Sequence, residues 1–170
     1  SIIKDQKLQK NEFVLATIHR QENTDELSKL IAIFKALEEI HHTHTVILPL
    51  HPRTRLALEK VNIQPKINLI APIGYYDMLE LLKNCSMVIT DSGGLQKEAF
   101  FAKKQCIVVR DETEWVELAA HGYAKVVGCN TKKIIQTFDT FKATKKEFTI
   151  DLYGDNVGEK IYQSIYQLIH

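Results

Sequence analysis

The chain has little of what would tie it to an oxidised, metal-built or membrane-bound state. It holds three cysteines in 170 residues, Cys85, Cys106 and Cys129, unevenly spaced and with no Cys-x-x-Cys pair. An odd number of unpaired thiols in an α/β sequence argues against a disulfide framework or a thiolate metal site, and suggests buried, reduced thiols in a reducing compartment, expected to be the cytoplasm. No apolar run is long enough to span a bilayer, and the N-terminus carries no signal-peptide pattern. Nor is there an excess of charge. Lys and Arg number 22 against 21 Asp and Glu, a net charge of +1, so neither nucleic acid nor an anionic membrane is a general partner. No repeat or low-complexity tract is visible. A hydrophobic content of 45% supports a full core, and the length suits one domain. The chain begins at Ser1 without an initiator Met, which suggests a fragment of something longer.

Short apolar runs alternate with helical periodicity about six times. The expected strands are Phe13–Ile18, Thr45–Leu50, Ile67–Ile70, Met87–Thr90, Ile107–Val109 and Ala124–Val127. Helical spacing follows in Leu27 to Ile40, Thr54 to Lys60, Tyr76 to Leu82, Leu95 to Ala102, Trp115 to Ala120 and Ile134 to Phe141. Asn23 with Glu26 has capping-box spacing, and Asn130 can cap the helix after it. Residues 142–155 look irregular. Asn156 is then expected to cap a last helix with Ile161, Ile165, Leu168 and Ile169 on one face. Strands that are apolar throughout belong to sheets covered on both sides. The expected fold is therefore α/β, a Rossmann-like, doubly wound parallel sheet of about six strands.

In such a fold ligands bind beyond the carboxyl ends of the strands. The segments found there are His19-Arg20-Gln21-Glu22-Asn23, His51-Pro52-Arg53, Asp91-Ser92-Gly93-Gly94 and Arg110-Asp111. A strand, a Gly-Gly turn and a helix start aim free N–H groups at one spot, and the helix dipole favours an anion there. Paired glycines let a diphosphate approach without meeting a Cβ. Glu98, one turn into the helix, can accept from ribose hydroxyls, and Arg forks suit phosphate. His19 and His51 add groups that titrate near neutrality. Each has a plainer alternative: loop histidines, a corner made only for the chain to turn, a solvated Glu98, or a local Arg110–Asp111 ion pair worth little if exposed. Tyr75 and Tyr76 read either as core and rim aromatics or as a platform for a base. His41, His42 and His44 end a helix on the opposite edge and read as helix-dipole partners or surface residues, with no metal.

With T-I-H-R-Q-E-N, L-P-L-H-P-R, T-D-S-G-G-L-Q-K-E and V-V-R-D-E-T-E-W in this order, the chain resembles the non-hydrolysing UDP-N-acetylglucosamine 2-epimerases, from about Phe13 to the final helix. The resemblance implies the C-terminal half of a two-domain enzyme of GT-B architecture, with residues 1–170 as a single UDP-binding domain and the N-terminal domain missing. It implies no cofactor, a UDP-sugar substrate, and a homodimeric parent. Carried onto matching positions, Ser92, Gly93 and Gly94 hold the diphosphate and Glu98 the ribose. His51 and Arg110 lie by the nucleotide, and His19 is needed for activity, with Arg20 beside it. The uracil-stacking aromatic of the family falls at Met78, a departure that Tyr75 or Tyr76 would have to offset. A second departure, E-T-E-W-V-E after Arg110, looks like relatives acting on other UDP-2-acetamido sugars. The chemistry implied is inversion at C2 through UDP elimination and re-addition. The proton-transfer carboxylates lie in the missing domain, so the fragment is expected to be inactive alone. A GT-B glycosyltransferase or a non-catalytic sugar-nucleotide module is the rival reading, and the H-R-x-E-N pattern favours the epimerase.

Overall fold

Phe13–Thr17 forms β1, and all five residues are buried in the computed structural model, which describes residues 1–169. The run F-V-L-A-T has no polar face because β1 is covered on both sides: Val14 and Ala16 point into one core cluster, Phe13 and Leu15 into the other. The other strands are β2 (Thr45–Pro49), β3 (Asn68–Ile70), β4 (Met87–Thr90), β5 (Cys106–Val108) and β6 (Ala124–Val126). All five neighbouring pairs are parallel, and the order is β3-β2-β1-β4-β5-β6. The chain lays down one half of the sheet outward from β1, then returns to add β4 on its other side. The connections therefore diverge between β1 and β4, and a crevice opens beyond the ends of those two strands. The expected doubly wound parallel sheet of six strands is the fold observed.

Helices α3 (Leu27–His41), α4 (Pro52–Lys60) and α8 (Thr131–Ala143) cover one face, through Leu30, Phe34, Leu37, Leu58, Ile134 and Phe138. Helices α5 (Tyr75–Asn84), α6 (Gly93–Phe101) and α7 (Val116–Ala120) cover the other, through Leu81, Leu82, Leu95, Phe100 and Leu118. Each such side chain contributes roughly 1.5–3 kcal/mol by leaving water. After α8 the chain runs irregularly, as expected, but Phe148, Leu152 and Tyr153 pack it back onto the second cluster. The last helix, α9 (Val157–Ile169), leaves its apolar stripe of Ile161, Ile165, Leu168 and Ile169 exposed. Among the described residues, no helix is long and apolar enough to cross a membrane.

The structure corrects several local expectations. A short helix, α1 (Ile2–Asp5), precedes the first strand, with Ile2 buried in the second cluster. The β3 and β5 boundaries move by one residue and β6 ends at Val126. Asn23 makes no capping box: it sits in a one-turn helix, α2 (Gln21–Thr24), and its amide is drawn into the interior by two acceptors, Asp91 and the Val109 carbonyl. Glu26 occupies the N-cap position of α3 without a side-chain cap bond. Asn130 does cap α8, accepting from the Lys133 N–H at 3.0 Å. Asn156 serves the start of α9 through its backbone instead. It adopts φ 52°, a left-handed conformation that Asn tolerates, and its carbonyl accepts from Lys160 at 3.1 Å.

Candidate functional site

The ends of β1 and β4 are joined by hydroxyls. Thr17 Oγ1 and Thr90 Oγ1 lie 2.6 Å apart, and Thr90 Oγ1 also accepts the Ser92 N–H at 2.9 Å. One residue on, Asp91 is fully buried. A carboxylate without water is costly unless its lone pairs are filled. Here the His19 N–H reaches its oxygens at 3.1 and 3.0 Å, the Arg20 N–H at 2.9 Å and Asn23 Nδ2 at 3.1 Å. The Thr54 hydroxyl donates to the Ile18 carbonyl and secures the same loop from α4. The loop carrying His19 and Arg20 is thus built around Asp91. Asp91 stands within the T-D-S-G-G motif, where the sequence gives no sign of this role.

Ser92 is the N-cap of α6, its hydroxyl accepting the Leu95 N–H at 3.4 Å. The helix begins at Gly93 rather than at Leu95, so both glycines lie in its first turn. Four N–H groups at a helix start lack intrahelical partners. Those of Ser92 and Leu95 are taken by Thr90 and Ser92, which leaves the pair on Gly93 and Gly94 for a ligand. The two glycines differ in their surroundings. A Cβ on Gly94 would meet nothing within 4 Å, and Gly94 faces open space; a Cβ on Gly93 would come to 3.1 Å from Glu114 Oε2 and 3.4 Å from Arg20 Nη2. The close approach that Gly93 permits within the protein is to a neighbouring ion pair, while Gly94 leaves its side of the corner open.

A cleft of about 280 Å³ lies over this corner. Of the residues singled out from the sequence, His19, His51, Met78, Ser92, Gly94 and Glu98 line it, with Thr17 at its base. The His19 and His51 rings stand 5.4 Å apart. His51 is the N-cap of α4: its Nδ1 accepts the Arg53 N–H at 3.2 Å, which leaves the proton of the neutral ring on Nε2. Met78, half-buried on α5, forms an apolar wall opposite α6. Tyr75 and Tyr76 are exposed and lie outside the lining. They are rim residues, not core.

Arg20, Gly93 and Arg110 are not brought into the cleft lining. The Arg110 side chain is only 5% exposed, and Nη1 meets both Glu114 oxygens at 2.8 and 2.9 Å. Glu22 approaches Nη2 at 3.6 Å, and Arg20 reaches the same Glu114 at 3.8 Å. The hydrogen bond to Glu114 raises the Arg110 pKa and, reciprocally, holds the Glu114 carboxyl below its ordinary value. The plainer alternative of an Arg110–Asp111 pair is not realised. Asp111 turns to Lys29 at 3.5 Å, because Glu114, four residues on, offers Arg110 both of its oxygens. Among the described residues Arg110 Nε, which is buried, has no partner. The loop after β5 is fastened to α6 by Thr113, which donates to Gln96 Oε1 at 2.5 Å, and by Trp115, whose indole N–H donates to the Gly93 carbonyl at 2.7 Å. The T-E-W segment is therefore the buttress of the glycine corner, a role that Trp115 and Gln96 did not reveal in the sequence.

Of the histidines at the other edge, His42 is exposed while His41 and His44 pack into the fold. His41 Nδ1 accepts the Val46 N–H at 2.9 Å, which requires it to be unprotonated, and the His44 ring packs on Phe138 at 5.1 Å. Burial is the main cause lowering both pKa values. Among the described residues no cluster of His, Cys, Asp and Glu suits a metal. Cys85 and Cys106 are buried free thiols, and Cys129, half-buried, donates to Asn23 Oδ1 at 3.1 Å.

Residues 1–166 match the sequence model of the UDP-N-acetylglucosamine 2-epimerases. A UDP-2,3-diacetamido-2,3-dideoxy-D-glucuronate 2-epimerase of Pseudomonas aeruginosa is 44% identical over 84% of this chain and 40% of its own length. A UDP-N-acetylglucosamine 2-epimerase homolog of Methanococcus maripaludis is 37% identical over 98% of this chain and 48% of its own. Among solved structures, the UDP-GlcNAc 2-epimerase of Methanocaldococcus jannaschii in complex with UDP-GlcNAc and UDP superposes with a TM-score of 0.82 at 33% identity, covering 92% of this chain and 46% of that one. The chain thus spans a little under half the length of these relatives.

Proposed function

The chain belongs to the UDP-N-acetylglucosamine 2-epimerase family, and from that premise we propose that it is the C-terminal, UDP-binding half of an enzyme that inverts C2 of a UDP-2-acetamido sugar. The observation that carries this reading is the cleft itself: Ser92, Gly94, Glu98, His19 and His51 share one lining at the strand switch point. The reaction interconverts UDP-GlcNAc and UDP-ManNAc, or the corresponding pair of a related sugar. Removal of the C2 proton and cleavage of the C1–O bond release UDP and leave a 2-acetamidoglycal. UDP adds back at C1, and the proton returns to the opposite face of C2.

Each residue has a task in that scheme. The N–H groups of Gly93 and Gly94 and the Ser92 hydroxyl receive the diphosphate at the positive end of α6. Glu98, a turn further along, accepts the ribose hydroxyls. Met78 covers the uracil face, since a thioether is polarisable and adapts to a ring. His51 offers its Nε2–H to the nucleotide. His19 donates to the departing diphosphate and stabilises the charge that develops as C1–O breaks. Arg20 and Arg110 add positive potential behind the glycine corner, and Arg110 acts through the loop it anchors. The carboxylates that move the C2 proton belong to the other half of a homodimeric, cytoplasmic parent.

Identity to the Pseudomonas enzyme and the R-D-E-T-E-W segment favour a second choice of sugar, a UDP-2,3-diacetamido uronate, processed by the same steps. A longer protein that joins this chain to its other half, incubated with each sugar nucleotide in D2O, distinguishes them: the true substrate gains deuterium at C2 and forms its C2 epimer. Exchange with neither sugar overturns the epimerase reading. The chain alone binds UDP without turnover, and robust epimerisation by it refutes the need for a second half.

A further inference from the structure

A second concave site lies at the opposite edge of the sheet, where the strands begin. Its floor contains Met87, the first residue of β4, whereas the nucleotide cleft lies past Thr90, the last residue of that strand. Four residues of strand put the two roughly 10 Å or more apart. The cavity measures about 460 Å³. Phe141 and Phe148, half-buried, supply aromatic surface over the nearly buried Phe138, and Lys103, Lys104, Lys142, Lys145 and Lys146 stand around it. Among the described residues no carboxylate is part of the lining, although the chain as a whole is nearly neutral. Among the described residues none of these five lysines is in an ion pair. Lys104 donates to the neutral Asn11 side chain at 3.0 Å, and Lys146 leans toward the Tyr123 ring at 5.7 Å. Burial lowers the Lys104 pKa, and the charge of Lys10, outside the groove lining, adds to it. Asp139 acts on His44, which also lines the groove, and Glu147 stands between Lys146 and Phe148 in the chain.

Like charges gathered around a low-dielectric concavity repel one another and focus a positive potential into it. An anion that enters relieves that repulsion. We propose that this groove binds a small, multiply phosphorylated ligand carrying a planar ring, with the lysines on the phosphates and the phenylalanines against the ring. Lysine is a point charge that tolerates a polyphosphate in several poses. The aromatic surface adds what a bare polyanion cannot use. The confined volume and the near-neutral chain favour a small molecule over a nucleic acid or a membrane, whose recognition needs an extended basic surface. The site owes nothing to the nucleotide cleft, so its test stands apart from the epimerase reading.

ATP and tripolyphosphate are the probes, titrated calorimetrically into the intact chain at 150 mM salt, with saturating UDP present to occupy the cleft. One equivalent of ATP binds, tripolyphosphate binds at least threefold more weakly, and the double variant K142E/K145E loses at least tenfold affinity for both. Both lysines are exposed, so the variant keeps the parent melting temperature. Absence of binding below 5 mM, equal affinity for the two probes, or indifference to the charge reversal overturns the proposal. So does preferential capture of single-stranded oligonucleotide or anionic vesicles by the same lysines.

Discussion

The Asp91 carboxylate, at the end of β4, holds the backbone N–H of His19, 72 positions earlier, at 3.1 and 3.0 Å from its two oxygens. The loop after β1 is thereby tied to the strand that leads into the glycine corner. Asp91→Asn places amide hydrogens against the donors of His19, Arg20 and Asn23. It should cost about 3 kcal/mol, the scale of a buried group left without its partners. Denaturant melts should show the loss, and UDP binding should fall with it because His19 moves.

The two glycines of the corner should respond oppositely. Gly94→Val meets no protein atom within 4 Å. Its stability should stay within about 1 kcal/mol of the parent, since a helix start gains little from glycine. Its UDP affinity should fall at least tenfold, because the new side chain enters the cleft. Gly93→Ala instead presses on Glu114 and Arg20 and should lower the melting temperature first. Paired thermal melts and UDP titrations separate the two effects.

Much of this was legible in the residues and some was not. The run F-V-L-A-T announces a strand buried on both faces, and the order of strand-end motifs brings His19, His51, Ser92, Gly94 and Glu98 to one edge; the structure seats all five in one cleft. The environment of Asp91 was hidden, because its donors lie 68 to 72 positions away and only the parallel pairing of β1 with β4 brings them close. Arg110 looked like a phosphate ligand because an arginine after a strand suits one. Its pairing with Glu114 needs the turn geometry of that loop, which composition does not specify. The glycine pair likewise read as equivalent until Trp115 and Glu114 were packed against one of them.

Acid should loosen the buttress behind that corner. The Glu114 carboxyl has its pKa lowered mainly by the hydrogen bond from Arg110. A carboxylate with a depressed folded pKa contributes stability above its unfolded value, and that contribution is lost as pH falls through the folded one. Between about pH 5 and about pH 3 the parent should therefore lose more stability than Glu114→Gln, measured as the shift in urea midpoint. Equal shifts would show that the ion pair adds nothing to the fold.

The thiols should behave in the reverse sense. Burial pushes the Cys85 thiol up to about 12 from an ordinary 9.0, so its stabilising share is complete below pH 9 and declines as pH rises toward 12. Cys85→Ala should flatten the alkaline fall of the urea midpoint. Under native conditions a thiol reagent should modify Cys129 first, because Cys85 and Cys106 are buried. Mass spectrometry of partially labelled protein reads the order.

Calorimetric titration of the chain with UDP, alongside Glu98→Ala, bears most directly on the nucleotide reading. One UDP should bind saturably to the parent, and the variant should bind at least tenfold more weakly with an unchanged melting temperature. No detectable heat with the parent, or equal affinity in the variant, would contradict the assignment of this cleft to a uridine nucleotide.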